Sequence, residues 1–385
     1  MSWRPSAATA RMLFSTRSFT TMHRKAAASS TTRTHARRAP LARRPGLSTM
    51  SLPRLVPALV SAAKADFRIA CVLVALIYLT AASFTAAQSP AVQPLAEQEP
   101  ITPVPPAPAQ DPRRVALGEQ LFADRRLSHD NTSSCLTCHD TRTNGATVNA
   151  HDTAPDGQPV ALNTPTVFNA SLNFELNWEG NCRTLETQAT NTISSPMTMA
   201  SSVEEAVGKL RADAEMVKQF QEAYGRGPDP GDLVDAIVTF ERSLTTPGSR
   251  FDRWLQGDTG ALTAEELSGY HLFKSLGCIS CHQGVNVGGN LFQRHGIFHP
   301  LGSPEPELVR VPSLRNVATT PPYFHDGSAT TLPQAVRAMG FAQLDRLLSD
   351  EQVAAVVTFL NTLTGTYRGA SVTSAVLGPR AAEPP

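Results

Sequence analysis

Aromatic residues with a polar handle are scarce: the 385 residues include five tyrosines and three tryptophans. That is too thin a supply of stacking platforms for nucleic acid, and no nucleic-acid partner is expected. Strand signals are sparse too, whereas helical spacing of apolar residues recurs. Acids are almost missing from the first 87 residues, where Asp66 stands alone against 13 Lys and Arg. The net charge of +1 therefore hides an acidic body, because residues 88–385 hold 21 basic and 32 acidic residues. Such a body does not suit DNA or an anionic membrane surface; it suits a basic soluble protein partner, or serves solubility alone. Cysteine is limited to six residues.

What is present begins with an apolar run from Ile69 to Ala87, preceded by Arg54, Lys64 and Arg68. A charged flank, an apolar core and the small residues Thr85-Ala86-Ala87 make the pattern of an export signal. The run also approaches membrane-spanning length, so an uncleaved anchor is the rival reading. Residues 1–49 read as a transit-like stretch or as lying ahead of a true start at Met50. Either way the remainder is expected outside the cytoplasm, in the periplasm. Residues 88–110 are rich in proline and read as an extended tether, with the folded part starting near Asp111. The expected organisation is leader and linker over 1–110, domains over 111–245 and 246–370, and a disordered tail over 371–385.

Thirty prolines and 24 glycines point to long irregular connections between elements. Helix starts are marked by Ser202 with Glu205, Thr263 with Glu266 and Ser349 with Gln352. Leu233, Ile237 and Phe240 repeat at helical spacing, as do Val353, Val356, Val357 and Leu360. The fold class read from this is all-α, two helical bundles with long loops.

Four of the six cysteines lie in two pentapeptides, Cys135-Leu136-Thr137-Cys138-His139 and Cys278-Ile279-Ser280-Cys281-His282. Cysteines at i and i+3 on a helix point the same way, so both sulfurs reach the vinyl groups of one porphyrin. The histidine that follows faces the iron. Zinc-ribbon cysteine pairs lie far closer together, a thioredoxin-like dithiol needs no histidine, and plain disulfides leave both histidines unexplained. Two covalently bound haem c groups are expected. Cys182 has no evident partner and reads as a buried thiol. Each iron takes a sixth ligand or keeps a vacancy. Met339 shares a helical face with Leu332 and Val336, where spacing alone does not separate a ligand from ordinary core.

The modules and their surroundings resemble the bacterial di-haem cytochrome c peroxidases, a family that includes the MauG-type enzymes. The likeness covers about residues 111–368. It rests on Leu117-Gly118-Glu119-Gln120-Leu121-Phe122, on Asn163-Thr164-Pro165-Thr166-Val167-Phe168-Asn169-Ala170, and on Pro247-Gly248-Ser249-Arg250-Phe251-Asp252. It rests further on Gly284 to Gly289, Pro322-Tyr323-Phe324-His325-Asp326-Gly327 and Ala338-Met339-Gly340. The resemblance implies an all-α fold of two cytochrome c-like haem domains with long loops, hydrogen peroxide reduction at the first haem, fed through the second by a small cytochrome c or cupredoxin, and a homodimer. Carried over by position, His139 and His282 are proximal ligands and Met339 is the distal ligand of the second haem. Asn163, Thr320 and Pro322 match a calcium site, the latter two through backbone oxygens. Trp178 matches the tryptophan between the haems, and Gln188 a glutamine of the peroxide pocket.

Three positions depart from the family. Its displaceable distal histidine falls at Pro155, with His151 four residues away, and its acid-base glutamate falls at Thr198. Its Trp-Asp-Gly-Arg phrase is Trp178-Glu179-Gly180-Asn181 here. Threonine does not titrate near neutrality, so the first haem is expected to lack the histidine lock and to turn peroxide over slowly. Glu175, Glu179 and Glu186 are alternative carboxylates or plain surface charges. Oxidation of a protein substrate, as in the MauG type, and a non-catalytic electron carrier or redox sensor are the competing functions.

Overall fold

Each of the three capping serines and threonines starts a helix in the computed structural model, which describes residues 99–374. The side chains of Ser202, Thr263 and Ser349 accept from the backbone N–H of Glu205, Glu266 and Gln352. The export segment, Cys71 and residues 375–385 lie outside the described residues. No helix among the described residues is long and apolar enough to cross a membrane. The described part falls within one compact unit and builds two mainly helical lobes.

The first lobe holds α1 (Pro112–Ala123), the helical turn α2 (Cys135–Cys138), α3 (Leu185–Ser194), α4 (Val203–Leu210), α5 (Ala214–Tyr224) and α6 (Pro230–Ser243). The second holds α7 (Arg250–Leu255), α8 (Ala264–Leu276), α9 (Leu332–Leu344) and α10 (Asp350–Asn361). A short antiparallel ribbon joins β1 (Phe292–Arg294) to β2 (Leu308–Arg310), with Phe292 opposite Arg310.

The lobes repeat one packing device. In the first, α1 crosses α6 at Gly118, where an added Cβ would stand 2.0 Å from the Ala236 carbonyl oxygen and 2.8 Å from the Phe240 Cβ. In the second, α8 crosses α10 at Gly269, where an added Cβ would stand 2.1 Å from the Ala355 oxygen and 3.1 Å from the Phe359 Cβ. Only glycine lets the backbones approach so closely. Around the two crossings lie separate apolar cores, one holding Leu121, Phe122, Phe220 and Phe240, the other Phe251, Tyr270, Phe273 and Phe359.

A second repeat joins the lobes. Asn169 and Asn316 both adopt left-handed backbone, φ 61° and 59°, and each opens a 3₁₀ turn. Their side chains meet on one residue: Asn169 Nδ2 donates to Thr246 Oγ1 at 2.7 Å and Asn316 Nδ2 to the same oxygen at 3.0 Å. All three are buried, so these amides satisfy one another at the seam.

Two expected boundaries are corrected. The end of the proline-rich stretch is no tether. Ile101 and Val104 are buried, Ile101 in the second core, and Pro100 O accepts from Gly284 N–H at 2.8 Å. Glu99 binds Tyr270 Oη at 2.6 Å and Lys274 Nζ at 2.9 Å. At the other end, β3 (Thr366–Tyr367) and β4 (Ala370–Ser371) bring the chain back to the first lobe, where Tyr367 packs on Phe168 and Val372 is buried in the core. The reading of a disordered tail from residue 371 is therefore wrong at its start.

Candidate functional site

Each histidine is aimed by its own loop. The α2 turn carries Cys135 and Cys138 on one side, and Ser134 and Thr137 close its start as a capping box. His139 N–H then donates to Cys135 O at 2.9 Å. The loop after it turns back at Gly145, whose φ of 66° suits glycine, and the Gly145 carbonyl lies 3.1 Å from His139 Nδ1. A carbonyl only accepts, so Nδ1 carries the proton and Nε2 presents its lone pair. The second module does the same: His282 N–H donates to Cys278 O at 3.0 Å, and His282 Nδ1 lies 3.1 Å from Val287 O. Burial holds both imidazoles toward the neutral form, His139 below its usual value and His282 down at about 4. Neutral, Nε2-presenting imidazole held by a backbone carbonyl is what a metal needs from a histidine.

Trp178 is buried, 7% exposed. Its Nε1–H donates to Asn163 O at 2.7 Å, its backbone oxygen accepts from Arg310 N–H at 2.7 Å, and its ring meets His325 edge-on at 6.4 Å. It therefore touches the first lobe's 163 loop, the second lobe's 325 loop and β2 at once.

Arg310 supplies an independent test of the cofactor. It is 5% exposed, Nε donates to Asn177 O at 3.1 Å, and Nη1 reaches no partner. Burial alone pulls its guanidinium down to about 10. A buried cation left without an anion costs several kcal/mol, on the order of the 3–5 found when a buried pair is broken. Porphyrin propionates are anions of the right kind, so the residues present fit haem.

The comparisons with known proteins agree. A family profile described as di-haem cytochrome c peroxidase matches residues 112–260, and one described as cytochrome c matches residues 267–364. The cytochrome c551 peroxidase of Nitrosomonas europaea is 38% identical over 286 residues, which is 70% of this chain and 86% of that protein. This chain belongs to the di-haem cytochrome c peroxidase family. Cytochrome c peroxidase Ccp of Escherichia coli is 39% identical over 70% of this chain and 62% of its own length. A MauG-like protein associated with microbial copper homeostasis, known from its crystal structure, is 26% identical, with a TM-score of 0.58 over 69% of this chain and 93% of its own.

Family membership implies two haem c groups in this di-haem peroxidase, and Cys135 with Cys138 and Cys278 with Cys281 are the candidates for their attachment. Met339 sits partly buried in the middle of α9, in the second lobe with His282. Asn163 and the segment bearing Thr320 and Pro322 are brought together: Asn163 N–H donates to His325 O at 2.7 Å, and Asn144 Nδ2 to Thr319 O at 2.5 Å. Asn163 Nδ2 donates to Asn149 O and Ala150 O, which leaves its Oδ1 as the oxygen to offer a cation. No cluster of three His, Cys, Asp or Glu side chains suited to a metal ion occurs among the described residues, so an ion here would rest on amide and backbone oxygens.

The first haem's other candidates are looser. Gln188, on α3, bonds along its own helix to Thr192 Oγ1 at 3.0 Å. His151 is exposed, with Nδ1 tied to Val160 O at 2.9 Å, and Pro155 is exposed on the same loop. Thr198 is exposed and its hydroxyl caps the end of α3 through Thr192 O. Glu175 pairs with Arg183, Glu179 is exposed, and Glu186 pairs with Arg242 at 2.5 Å. Sequence reasoning missed Arg310, the contact of His325 with Trp178, and the buried Glu241. For Glu241 there was a signal: it lies four residues after Ile237 and next to Phe240, a charge set in an apolar stripe.

Proposed function

We propose that this protein is an exported, periplasmic di-haem oxidoreductase that reduces hydrogen peroxide at the first module. Its electrons enter through the second module from a small cytochrome c or cupredoxin. The observation that carries the reading is the duplicated, carbonyl-oriented histidine, one at the end of each Cys-x-x-Cys-His module. Haem iron, when bound, supplies the one-electron chemistry, and the protein supplies position and electrostatics. His282 and Met339 hold the relay site; a methionine ligand keeps such a site at high potential, ready to accept from a soluble donor. His139 holds the reactive site. Trp178 fills the gap between the two lobes, its indole fixed by Asn163. Asn163, Thr320 and Pro322 hold a calcium ion that stiffens this seam. The acidic body steers a basic donor toward the protein.

Peroxide cleavage needs a group that takes one proton and returns it to the leaving oxygen. Thr198 does neither, and its hydroxyl is already committed to a helix end. The reading therefore includes slow turnover. The test is steady-state peroxide consumption by the holoprotein with a reduced small c-type cytochrome. Turnover is expected in the native chain, and Met339→Leu should abolish electron entry while leaving two haems attached by mass. A holoprotein whose haems are both reduced by the donor and yet consume no peroxide would be an electron carrier instead.

A further inference from the structure

Glu241 lies on α6 inside the first lobe, 8% exposed, and its Oε2 reaches no hydrogen-bond partner. The repeated helix crossing gives it a counterpart. Ala236 and Phe240 face Gly118 as Ala355 and Phe359 face Gly269, so Glu241 stands where the second lobe has Leu360, buried in its core. One position thus holds an apolar side chain in the relay lobe and an ionisable one in the reactive lobe.

The carboxyl is close enough to the first module for its charge to bear on Cys135, where, after burial, it is the next influence holding that thiol up. The groups that face it are few. Cys135 lies on α2, Glu186 on α3 is paired with Arg242, and Arg242 is its own neighbour on α6. Glu186 and Arg242 also line a surface cleft of about 400 Å³ together with Pro108 and Leu185, which brings solvent to the next residue along the helix. Burial, ahead of the repulsion from Glu186, pushes the carboxyl up to about 8.

We propose that Glu241 is the redox-linked proton site of the first haem: it binds one proton when that haem gains an electron and releases it when the electron leaves. The proposal rests on haem being bound at the first module. An added electron raises the negative charge of a site of low dielectric, and a carboxylate there is driven to take up a proton. The balance is simple. One electron arrives from the soluble donor through the second module, one proton arrives from solvent, an O–H bond forms on the Glu241 carboxylate, and both are given up on reoxidation. Glu241 is a positioning residue for charge; it need not touch peroxide.

The test is a spectroelectrochemical titration of the first haem in the holoprotein between about pH 6 and pH 9. One proton per electron lowers the potential by up to about 59 mV for each tenfold fall in proton concentration. Glu241→Gln and Glu241→Leu, the second placing there the residue that the other lobe already buries, are expected to flatten that slope with both haem spectra retained. The infrared difference spectrum on reduction should gain a protonated-carboxyl band that both variants lack. A native slope of zero, or a slope and band that persist in either variant, would overturn the proposal. Failure of the first module to incorporate haem would instead overturn the functional reading beneath it.

Discussion

Glu241 ties stability to pH in the sense opposite to a salt-bridged carboxylate. Its unfolded value is the ordinary 4.5, and burial raises the folded value to about 8. Below the first value the group is neutral in both states. As pH climbs from one to the other, only the unfolded chain gives up the proton, so folding stability falls; above about 8 the loss is complete. The loss amounts to a few kcal/mol, since each tenfold change in proton affinity is worth about 1.4 kcal/mol. Glu241→Leu should therefore be nearly neutral in denaturant unfolding at acid pH and more stable than the native protein at alkaline pH. Equal differences at both ends would remove the buried carboxyl as the cause. Trp178→Phe addresses a different atom. It keeps an aromatic ring, smaller than the indole, and removes the N–H that satisfies Asn163 O, at a cost of about 1–3 kcal/mol, and is expected to slow transfer from the second haem to the first in rapid-mixing experiments. His139, His282 and Trp178 were candidates already in the sequence, because haem attachment is spelled in consecutive residues and the tryptophan sits in a family phrase. The sequence did not show Arg310 or Glu241, whose meaning lies in what surrounds them after folding.

Helix starts were legible for a similar reason: Ser202, Thr263 and Ser349 act on residues three positions away. The strap of residues 99–104 was not. Its proline content is that of a linker, and only distant partners give it structure. Arg315 is chief among them, with Nη1 on Asp252 Oδ1 at 2.8 Å, Nη2 on Thr102 O at 2.8 Å and Nε on Val285 O at 2.8 Å. Asp252 also accepts from Val104 N–H. One buried ion pair thus joins the strap, α7 and the loop whose Val287 carbonyl orients His282. Two changes separate packing from charge. Ile101→Ala opens a hole in the second core and should cost about 2–5 kcal/mol. Arg315→Met leaves Asp252 buried and unpaired, a loss of about 3–5 kcal/mol. Both are read by urea unfolding, and Arg315→Met should in addition lower the yield of haem at the second module relative to the first, measured by mass. An even loss at both modules would mean that the strap serves the whole fold and not the His282 loop.

Under the proposed function the division of labour across the whole molecule is uneven: the second lobe would carry a complete relay set in His282 and Met339, while the first would keep its proximal His139 with Thr198 at the proton carrier's place. The two lobes share their helix crossing and their seam asparagines, so the difference lies in side chains and not in scaffold. That makes the slow turnover of the proposed function correctable by one substitution. Thr198 is exposed at the end of α3, where its hydroxyl bonds the Thr192 carbonyl, and its replacement displaces no core atom. Thr198→Glu puts a carboxyl at the position that matches, by resemblance, the family's acid-base glutamate, a contribution of about 10²–10⁴-fold where such a group is well placed. Part of that factor should appear as a rise in kcat for peroxide, with the rate of reduction of the second haem by the donor unchanged, because electron entry through His282 and Met339 is untouched. A parallel rise in both rates would trace the effect to donor binding, since a new surface acid also strengthens attraction for a basic partner, and raising the ionic strength would then erase it.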